Sequence, residues 1–505
     1  IAMGDLNWLP PMGPQGEYNL QELDISDTGT FTDLIPVTHY TNLRVLKAAG
    51  NQIVSAISLD LLAQLEVLDL SSNRLGDVFS LHWLHSLRQL NLSANSKLQP
   101  FEVESIIQGN PALTHIGVAG IALGDLNWLP PVGPQGEYNL QELDISDTGI
   151  IPDLAAVTQY TNLRVLKAAG NQMLSAWPTG QLAQLEVLDL SNNRLVDLFP
   201  LQVMKDLRQL NLSYNNSLNP LDIQNVIQVN PGLTHISVAG ITMGDLNWLP
   251  PMGTQGEFNL QELDISDTGS FTDLAPVAQY ANLRVLKAAN NQLQTTAPLE
   301  QLTQLEVIDL GNNQLQDVLP LQILHGLEQL NLSANSRLQP FEVQSIILGN
   351  PGLTHIGVAG IAMGDLNWLP MMGPLGEYNL QELDISDTGS FHDLAAVAQY
   401  ANLRVLKAAG NNIVNAWPTG QLAQLEVVDL GNNQLLDVQP LQTLHGLEQL
   451  NLSANSRLQP LDVKNIIQGN PSLTHVGVAG IAMGDLSWLP FVGPPGEYDL
   501  QELDI

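Results

Sequence analysis

Histidine recurs at a fixed interval in this sequence, and an imidazole can bind a transition metal or move a proton. It returns every 120 residues, at His115, His235, His355 and His475. A metal site needs three or four ligands around one ion, and these histidines belong to successive repeats, too far apart to share an ion. We therefore expect solvated or locally hydrogen-bonded imidazoles and no metal.

Aspartates near the start of each repeat raise the question of calcium. Asp24, Asp27 and Asp33 are close in sequence, and calcium prefers carboxylate oxygens. A calcium loop has densely alternating ligands of the form D-x-D-x-D-G, which is missing here. We expect turn and surface roles for these residues and no cofactor, with calcium as the one possibility left open.

The remaining motifs contain no catalytic constellation. The sequence has no G-x-S-x-G, no H-E-x-x-H and no glycine loop spaced to hold phosphate. It also has no cysteine, which excludes a disulfide scaffold, a thiolate metal site and a cysteine nucleophile. An enzyme needs one unique pocket, whereas every polar group here recurs. We predict that the protein is not an enzyme.

The composition is that of an acidic chain that folds. The 505 residues include 17 Lys and Arg against 51 Asp and Glu, a formal net charge of −34, and 44% of them are hydrophobic. Such a surface repels nucleic acid and anionic membranes. No apolar run approaches the roughly eighteen residues of a membrane span. We expect neither nucleic-acid binding nor membrane insertion.

The sequence is a tandem repeat with a period of 120 residues. The opening phrase "IAMGDLNWLP" returns verbatim at Ile361–Pro370, and near copies begin at Ile121, Ile241 and Ile481. Exact periodicity indicates one array, not several unrelated domains. The predicted modules are 1–120, 121–240, 241–360 and 361–480, with a partial module at 481–505 and no capping domains.

A shorter repeat lies within each module. The segment "LEVLDLSSNRL", Leu65–Leu75, fits L-x-x-L-x-L-x-x-N-x-L, the leucine-rich repeat signature. Units begin at Leu20, Leu43, Leu65, Leu87 and Leu113, and the same register gives 21 unit starts in the whole chain. With strands about 4.8 Å apart, one module advances the array by roughly 24 Å.

The pattern predicts where each side chain of a unit points. In the third unit, Leu68 and Leu70 face inward, while Val67 at position three and Asp69 at position five face outward. The asparagines at position nine turn inward and bond backbone groups; these are Asn51, Asn73 and Asn95. In the first unit position nine is Thr28, which can partly substitute, and in the fifth it is Ile121, which cannot.

Two return segments differ from the others. "PFEVESIIQGNP", Pro100–Pro111, predicts a short convex helix that stops at Gly109, and Val229 at the equivalent position predicts a different end there. The proline-rich fifth return predicts irregular structure with a tryptophan over the core edge. As convex-face candidates this gives Trp8, Trp128, Trp248, Trp368 and Trp488.

The exposed strand positions supply the candidate binding residues. At position five each lysine lies between two carboxylates one rung away, an arrangement that predicts exposed ion pairs. The candidates at this position are Asp24, Lys47, Asp69, Asn91, Asp144, Lys167, Asp189, Asp264, Lys287, Asp309, Asp384, Lys407 and Asp429. At position three they are Val45, Val67 and His115.

The 22- and 23-residue units resemble the short bacterial leucine-rich repeats of internalins. The resemblance is carried by "LEVLDLSSNRLGDVFSLHWLHS" and "LQELDISDTGTFTDLIPVTHYTN". It implies a curved solenoid of the α/β class, with a continuous parallel sheet on the concave face and mostly irregular or short-helix convex returns. It also implies a location on the cell surface or outside the cell, and a protein partner bound on the concave sheet.

The period itself suggests a structural function. Whole modules match, outward residues included, as in a filament whose every step must look alike. The chain starts inside one unit and stops inside a strand, so we expect it to be part of a longer array. The sequence predicts a self-assembling extracellular filament or very long surface stalk, whose partner is another copy of itself, end to end or laterally. The alternative is an internalin-like adhesin.

Overall fold

A computed structural model describes residues 6–9, 19–29, 31–134, 137–251, 258–371, 378–389, 391–484, 489, 500 and 502–505. The chain divides into two compact units, the first formed by Ile1–Met243 and Trp248–Asn259 and the second by Gly244–Asn247 and Leu260–Ile505. Each unit is built from coils in which a three-residue strand is followed by a return segment.

The first unit contains ten parallel strands among its described residues. Neighbouring strands pair in register, so that Leu46 lies beside Leu68 and Lys47 beside Asp69. The strands are β1 Glu22–Asp24, β2 Val45–Lys47, β3 Val67–Asp69, β4 Gln89–Asn91, β5 His115–Gly117, β6 Glu142–Asp144, β7 Val165–Lys167, β8 Val187–Asp189, β9 Gln209–Asn211 and β10 His235–Ser237.

The second unit repeats this arrangement. Gly357 lies beside Asp384 and Lys407 beside Asp429, in the same register as in the first unit. Its strands are β11 Glu262–Asp264, β12 Val285–Lys287, β13 Val307–Asp309, β14 Gln329–Asn331, β15 His355–Gly357, β16 Glu382–Asp384, β17 Val405–Lys407, β18 Val427–Asp429, β19 Gln449–Asn451, β20 His475–Gly477 and β21 Glu502–Asp504.

The fourth return of each repeat is an α-helix, as the sequence predicts. These helices are α1 Pro100–Gly109, α2 Pro220–Val229, α3 Pro340–Gly349 and α4 Pro460–Gly469. Proline opens each helix because its missing N–H needs no partner in the first turn. In α1 the Glu102 carboxylate accepts a hydrogen bond from the Gln99 amide at 2.8 Å, and Val103, Ile106 and Ile107 are buried.

The prediction that Val229 changes the end of its helix is wrong. Helix α2 has the same length as α1, because Gly109 does not adopt a positive φ and any residue fits that backbone. The difference appears in the preceding return. A Cβ on Gly109 would lie 2.2 Å from the His82 carbonyl oxygen, so Val229 requires that carbonyl's counterpart to move. Residues 205–206 of that return lack the turn found at the equivalent place in the other repeats, and the sequence differs there too, with Lys205 and Asp206 in place of His85 and Ser86.

The other returns are irregular or contain single 3₁₀ turns. Such short turns reverse the chain where prolines and polar residues exclude a longer helix. They are Leu6–Trp8, Ile35–His39, Leu59–Leu61, Phe79–Trp83, Ala155–Val157, Thr179–Gln181, Phe199–Val203, Ala275–Gln279, Ala297–Leu299, Leu319–Ile323, Leu366–Trp368, Val397–Gln399, Thr419–Gln421 and Gln439–Thr443.

The core consists of the inward leucines and a line of asparagines between the coils. Leu68 is 1% exposed and Leu70 is fully buried. The Asn73 amide donates to the carbonyl oxygens of Ala48 in the preceding coil (2.9 Å) and of Leu70 in its own (3.0 Å). Its oxygen accepts from the amide of Ile53 at 2.9 Å. Asn73 therefore satisfies backbone groups that water cannot reach.

The same ladder continues on either side of Asn73 and then changes. Asn51 donates to the Ile25 carbonyl at 2.9 Å, and Asn95 donates to the Leu70 carbonyl at the same distance. Thr28 takes part by donating its hydroxyl to the Asn51 side-chain oxygen. Ile121 is fully buried, so at this rung of the ladder the polar contact is replaced by an apolar one.

Candidate functional site

The outward strand face carries the candidate binding residues, because the strand alternation leaves positions three and five in contact with solvent. Leu68 is buried between Val67 and Asp69, which are both half-exposed. Val45 and Val67 are register partners and form a short apolar stripe. All the candidates at positions three and five lie on this face, in the strands listed above.

The aspartates at position five are held in place by their own backbone. Asp69 Oδ1 accepts hydrogen bonds from the amide and the hydroxyl of Ser71, at 2.9 and 2.7 Å. Asp24 and Asp384 accept from the amides two residues later, each at 3.0 Å. The Ser26 amide lowers the pKa of Asp24, since it bonds the charged form. These hydrogen bonds give the carboxylates a fixed orientation.

Lys287 and Lys407 pair with glutamate, not with the flanking aspartates that the sequence pattern suggested. Lys407 Nζ lies 3.0 Å from Glu382 Oε1, and Lys287 Nζ lies 3.6 Å from Glu262 Oε1. The glutamate stands at position three of the preceding strand, so each pair runs diagonally. Glu382 raises the pKa of Lys407 by accepting this hydrogen bond. The long lysine stem reaches past its in-register neighbour to a longer carboxylate side chain.

The recurring histidines make local contacts. Thr354 Oγ1 lies 2.7 Å from His355 Nδ1 and also donates to the Glu328 carbonyl at 3.0 Å. His355 Nε2 faces the Glu382 carboxylate at 3.9 Å. Nδ1 is thus engaged by Thr354, and Nε2 is the ring nitrogen on the side of Glu382. His115 shares the threonine contact, at 2.8 Å.

A shallow groove crosses the strand face where position five is glycine. In the second unit it runs from Lys287 to Lys407 over Gly357 and encloses about 380 Å³. A second groove begins at Lys407, crosses Gly477 and encloses about 580 Å³.

In the first unit the corresponding groove crosses Gly117 between Lys47 and Lys167 and encloses about 270 Å³. The missing side chain creates each groove, while aspartate, asparagine, histidine and glutamate line its sides. The sequence-predicted residues are thus brought together in the first, third and fourth repeats.

A row of arginine–glutamate pairs was missed from the sequence. Arg284 donates two hydrogen bonds to the Glu306 carboxylate, of 2.9 and 2.7 Å. Arg404 donates two to the Glu426 carboxylate, of 2.9 and 2.8 Å. Each pair joins position two of neighbouring units, at the entry edge of the strands. Glu306 raises the pKa of Arg284 through these bonds. The alternation of Arg and Glu at position two is the signal that could have revealed them.

The tryptophans of the fifth return are mostly buried. Trp128 and Trp248 are 4% exposed and Trp368 is 3% exposed, whereas Trp8 is 46% exposed. Trp488 lies outside the described residues. Buried rings cover the core and cannot bind a partner directly. Besides Trp8, the exposed tryptophans of the described residues are on other returns, for example Trp83 at 51%.

Two observations concern metals and membranes. Within the described residues, no group of three or more His, Asp or Glu side chains is arranged to hold a metal ion. Among the described helices, none combines the length and the apolar composition that a membrane crossing requires.

The fold is a parallel-strand solenoid of α/β class, and comparisons with known proteins define it further. Residues 183–226, 281–323 and 423–465 match a family model described as "Leucine Rich repeats (2 copies)". TLR13, solved in complex with ssRNA13, is 19% identical, and the alignment covers 91% of this chain and 70% of that one with a TM-score of 0.50. The chain therefore has the leucine-rich repeat fold, which confirms the fold predicted from the sequence.

Bacterial proteins are among the other similar structures. An internalin (InlF) from Listeria monocytogenes is 19% identical, with 80% of this chain and 88% of that chain aligned and a TM-score of 0.41. A leucine-rich repeat protein of Leptospira interrogans is 21% identical, with 91% and 96% aligned and a TM-score of 0.37. A comparison with curated protein sequences gave no significant match.

Proposed function

We propose that this leucine-rich repeat protein is a repetitive structural scaffold, a self-assembling extracellular filament or long surface stalk built from a 120-residue module. The recurrence of the outward face carries this proposal. The grooves over Gly117 and Gly357, in two separate compact units, have equivalent linings that differ only in Leu68 against Ile308. A surface that presents the same contacts at regular steps suits a partner that is itself repetitive, and another copy of the chain is such a partner.

Electron microscopy of the native material tests the filament. We expect continuous fibres or stalks with an axial repeat of roughly 24 Å, from five strands about 4.8 Å apart. Light scattering after size exclusion should show a mass that rises with protein concentration. A monomer near 54.8 kDa at every concentration, without fibres in the micrographs, would contradict the proposal.

The second candidate is a surface adhesin that binds a partner protein on the strand face. The apolar stripe of Val45 and Val67 favours it, because half-buried valines beside polar grooves supply a contact centre with a polar rim. The substitutions Val45→Glu and Val67→Glu should abolish partner binding and leave any filament intact.

Glutamate at Val54 and Val196 is the matched control for this test. Both valines are more than half exposed, at 51% and 55%, and lie outside the strands. If all four substitutions weaken partner binding equally, the strand face is not the binding surface.

Three further inferences concern the class of partner, enzymatic activity and location. We infer a protein partner and not nucleic acid, because a formal net charge of −34 repels phosphate. We infer a non-enzymatic protein, since the polar groups recur from repeat to repeat and, in the described part of the chain, no unique site concentrates them. A location outside the cell or on its surface agrees with both candidate functions.

A further inference from the structure

The glycine at the floor of each groove leaves a notch bounded by fixed oxygen atoms. A Cβ added to Gly357 would lie 2.9 Å from Asn331 Oδ1 and 3.1 Å from Ser333 Oγ. At Gly477 the corresponding distances, to Asn451 and Ser453, are 2.7 and 3.0 Å. The absence of a side chain at this position therefore exposes two hydrogen-bond acceptors to a group entering from solvent.

The orientation of the asparagine is set by its neighbours. Asn331 Nδ2 donates to Asp309 Oδ1 at 2.9 Å, and its Oδ1 accepts from the Ser333 amide at 3.0 Å. The amide oxygen thus faces the notch and not the nitrogen. Because an amide oxygen has two lone pairs, Asn331 can accept a second hydrogen bond.

A carboxylate closes the other side of the notch. Asp384 lies beside Gly357 in the register of β15 and β16. Its Oδ1 is held by the Ser386 amide at 3.0 Å, which leaves its second oxygen directed away from the backbone. Lys407, the nearest lysine, is engaged by Glu382 at 3.0 Å. The groove lining contains three carboxylates and two lysines, so it has an excess of negative charge.

The second repeat shows the same site in a closed form. Position five of β10 is Ser237, and its hydroxyl lies 2.5 Å from the Ser213 hydroxyl. A serine side chain therefore fits beside Asn211 without breaking the strand. It occupies the space that glycine leaves empty in the other repeats, and its hydroxyl pairs with Ser213, the counterpart of Ser333.

We propose that each glycine notch receives a basic side chain, arginine in particular, from a partner protein bound on the strand face. The proposal rests on the protein-binding function proposed above and specifies the chemistry of the partner. A guanidinium is planar and has several donors, so it can bond the asparagine oxygen and the aspartate carboxylate together. Charge complementarity selects this occupant, since the groove is acidic and its own lysines are occupied.

Spacing adds a second requirement. Gly357 and Gly477 are one repeat apart, roughly 24 Å from five strands about 4.8 Å apart. An extended peptide advances about 3.4 Å per residue, and its side chains alternate between two faces. Arginines eight residues apart therefore point to the same side and span about 27 Å, enough to reach both notches. The probe is a synthetic peptide with two such arginines, and its matched control carries citrulline, the neutral isostere, at both positions.

Isothermal titration calorimetry, with the peptide titrated into the full chain, tests whether the notch binds arginine. We expect the double variant Gly357→Ser and Gly477→Ser to bind the arginine peptide at least tenfold more weakly than the parent. Ser237→Gly should add a site and raise the stoichiometry. The control variant is Gly446→Ser, which lies in a turn outside the strand face. The first repeat already has Ser86 at that position, so Gly446→Ser should bind like the parent.

The outcomes distinguish the arginine notch from protein binding on the strand face in general. The proposal that the notch receives arginine is overturned if the parent binds the arginine and citrulline peptides with equal affinity. It is also overturned if the parent and the double variant bind the arginine peptide equally. Circular dichroism checks that the double variant is folded, and the Ser237→Gly gain stands independently of it. If the valine variants abolish binding of a native partner while the serine variants do not affect it, the strand face binds protein but the notch does not take a basic side chain.

Discussion

Tyr400 donates a hydrogen bond from its phenolic oxygen to the carbonyl oxygen of Pro370, at 2.6 Å. Tyr160 makes the same bond to Pro130, at 2.5 Å. Both rings are 1% exposed, and burial raises the pKa of each phenol above its ordinary value of 10.0. The bond fastens the proline-rich fifth return to the coil that follows, at a place where the asparagine ladder is interrupted.

The buried tyrosines predict a loss of stability in alkali. Burial also raises the pKa of Tyr280, so the folded state keeps three protons that the unfolded state releases above pH 10. Their contribution is complete below pH 10 and declines as the pH rises towards the folded pKa, by at most about 1.4 kcal/mol per pH unit for each tyrosine. Urea unfolding at pH 9, 10 and 11 measures this decline.

Phenylalanine at all three positions separates ionisation from packing. The triple variant should lose about 0.5–1.5 kcal/mol at pH 7 for each of the Tyr160 and Tyr400 hydroxyls, because their hydrogen bonds to proline carbonyls are removed. Its stability should then change less between pH 10 and 11 than that of the parent. An equally steep decline in the variant would show that other groups cause it.

Replacing a ladder asparagine should destabilise the fold strongly. Asn73→Ala leaves the Ala48 carbonyl and the Ile53 amide without their side-chain partner, and we expect a loss of about 2–4 kcal/mol in the free energy of unfolding. Asn42→Ala is the control, since Asn42 bonds only the exposed Asn19 side chain at 2.7 Å. A similar loss in both variants would argue against a structural ladder.

The glycine at the end of helix α3 should resist substitution. A Cβ on Gly349 would lie 1.9 Å from the Gln322 carbonyl oxygen, so Gly349→Val must displace the neighbouring return, as Val229 does in its own repeat. We expect a loss of about 1–3 kcal/mol by chemical denaturation. Gly326→Ala, whose nearest contacts are 3.8 Å away, should change stability little. Stability equal to the parent for Gly349→Val would show that the return adapts freely.

The ion pair of Lys407 and Glu382 should matter little for stability. Both side chains are partly exposed, at 42% and 31%, and such pairs contribute about 0–1 kcal/mol. Because Glu382 raises the pKa of Lys407, any contribution is complete below pH 10.5 and is lost as the pH rises further. A double-mutant cycle with Lys407→Met and Glu382→Gln measures the coupling. Salt at 1 M should reduce it, and a coupling unaffected by salt would contradict an exposed electrostatic pair.

The fold follows from the sequence because its signals are local and repeated. The leucine at position four, exemplified by Leu68, and the inward Asn73 occupy fixed places in each coil, so spacing alone predicts strand, register and core. Helix α1 is also predictable, since proline begins it and three aliphatic residues mark its buried side. These features depend on backbone periodicity, which the sequence displays directly.

The candidate site is less predictable because it depends on how far side chains reach. Position-five spacing places Lys407 between two aspartates, yet Asp384 is already bonded to its own backbone amide and Glu382 has the longer side chain. Residue spacing also does not show that Gly357 opens a notch, since the notch is bounded by Asn331 and Ser333 of the preceding coil. Val229 is a similar case, because its helix keeps its length and the difference lies in the preceding return, at residues 205–206.

The matching registers also have a genetic consequence. A strand of the type of β5 pairs with one of the type of β6, His115 beside Glu142, and the same pairing recurs between β15 and β16, His355 beside Glu382. Unequal crossing-over that removes or adds 120 codons would therefore join surfaces that already fit. The contour length of the protein can change in increments of roughly 24 Å between related strains without a new fold having to evolve.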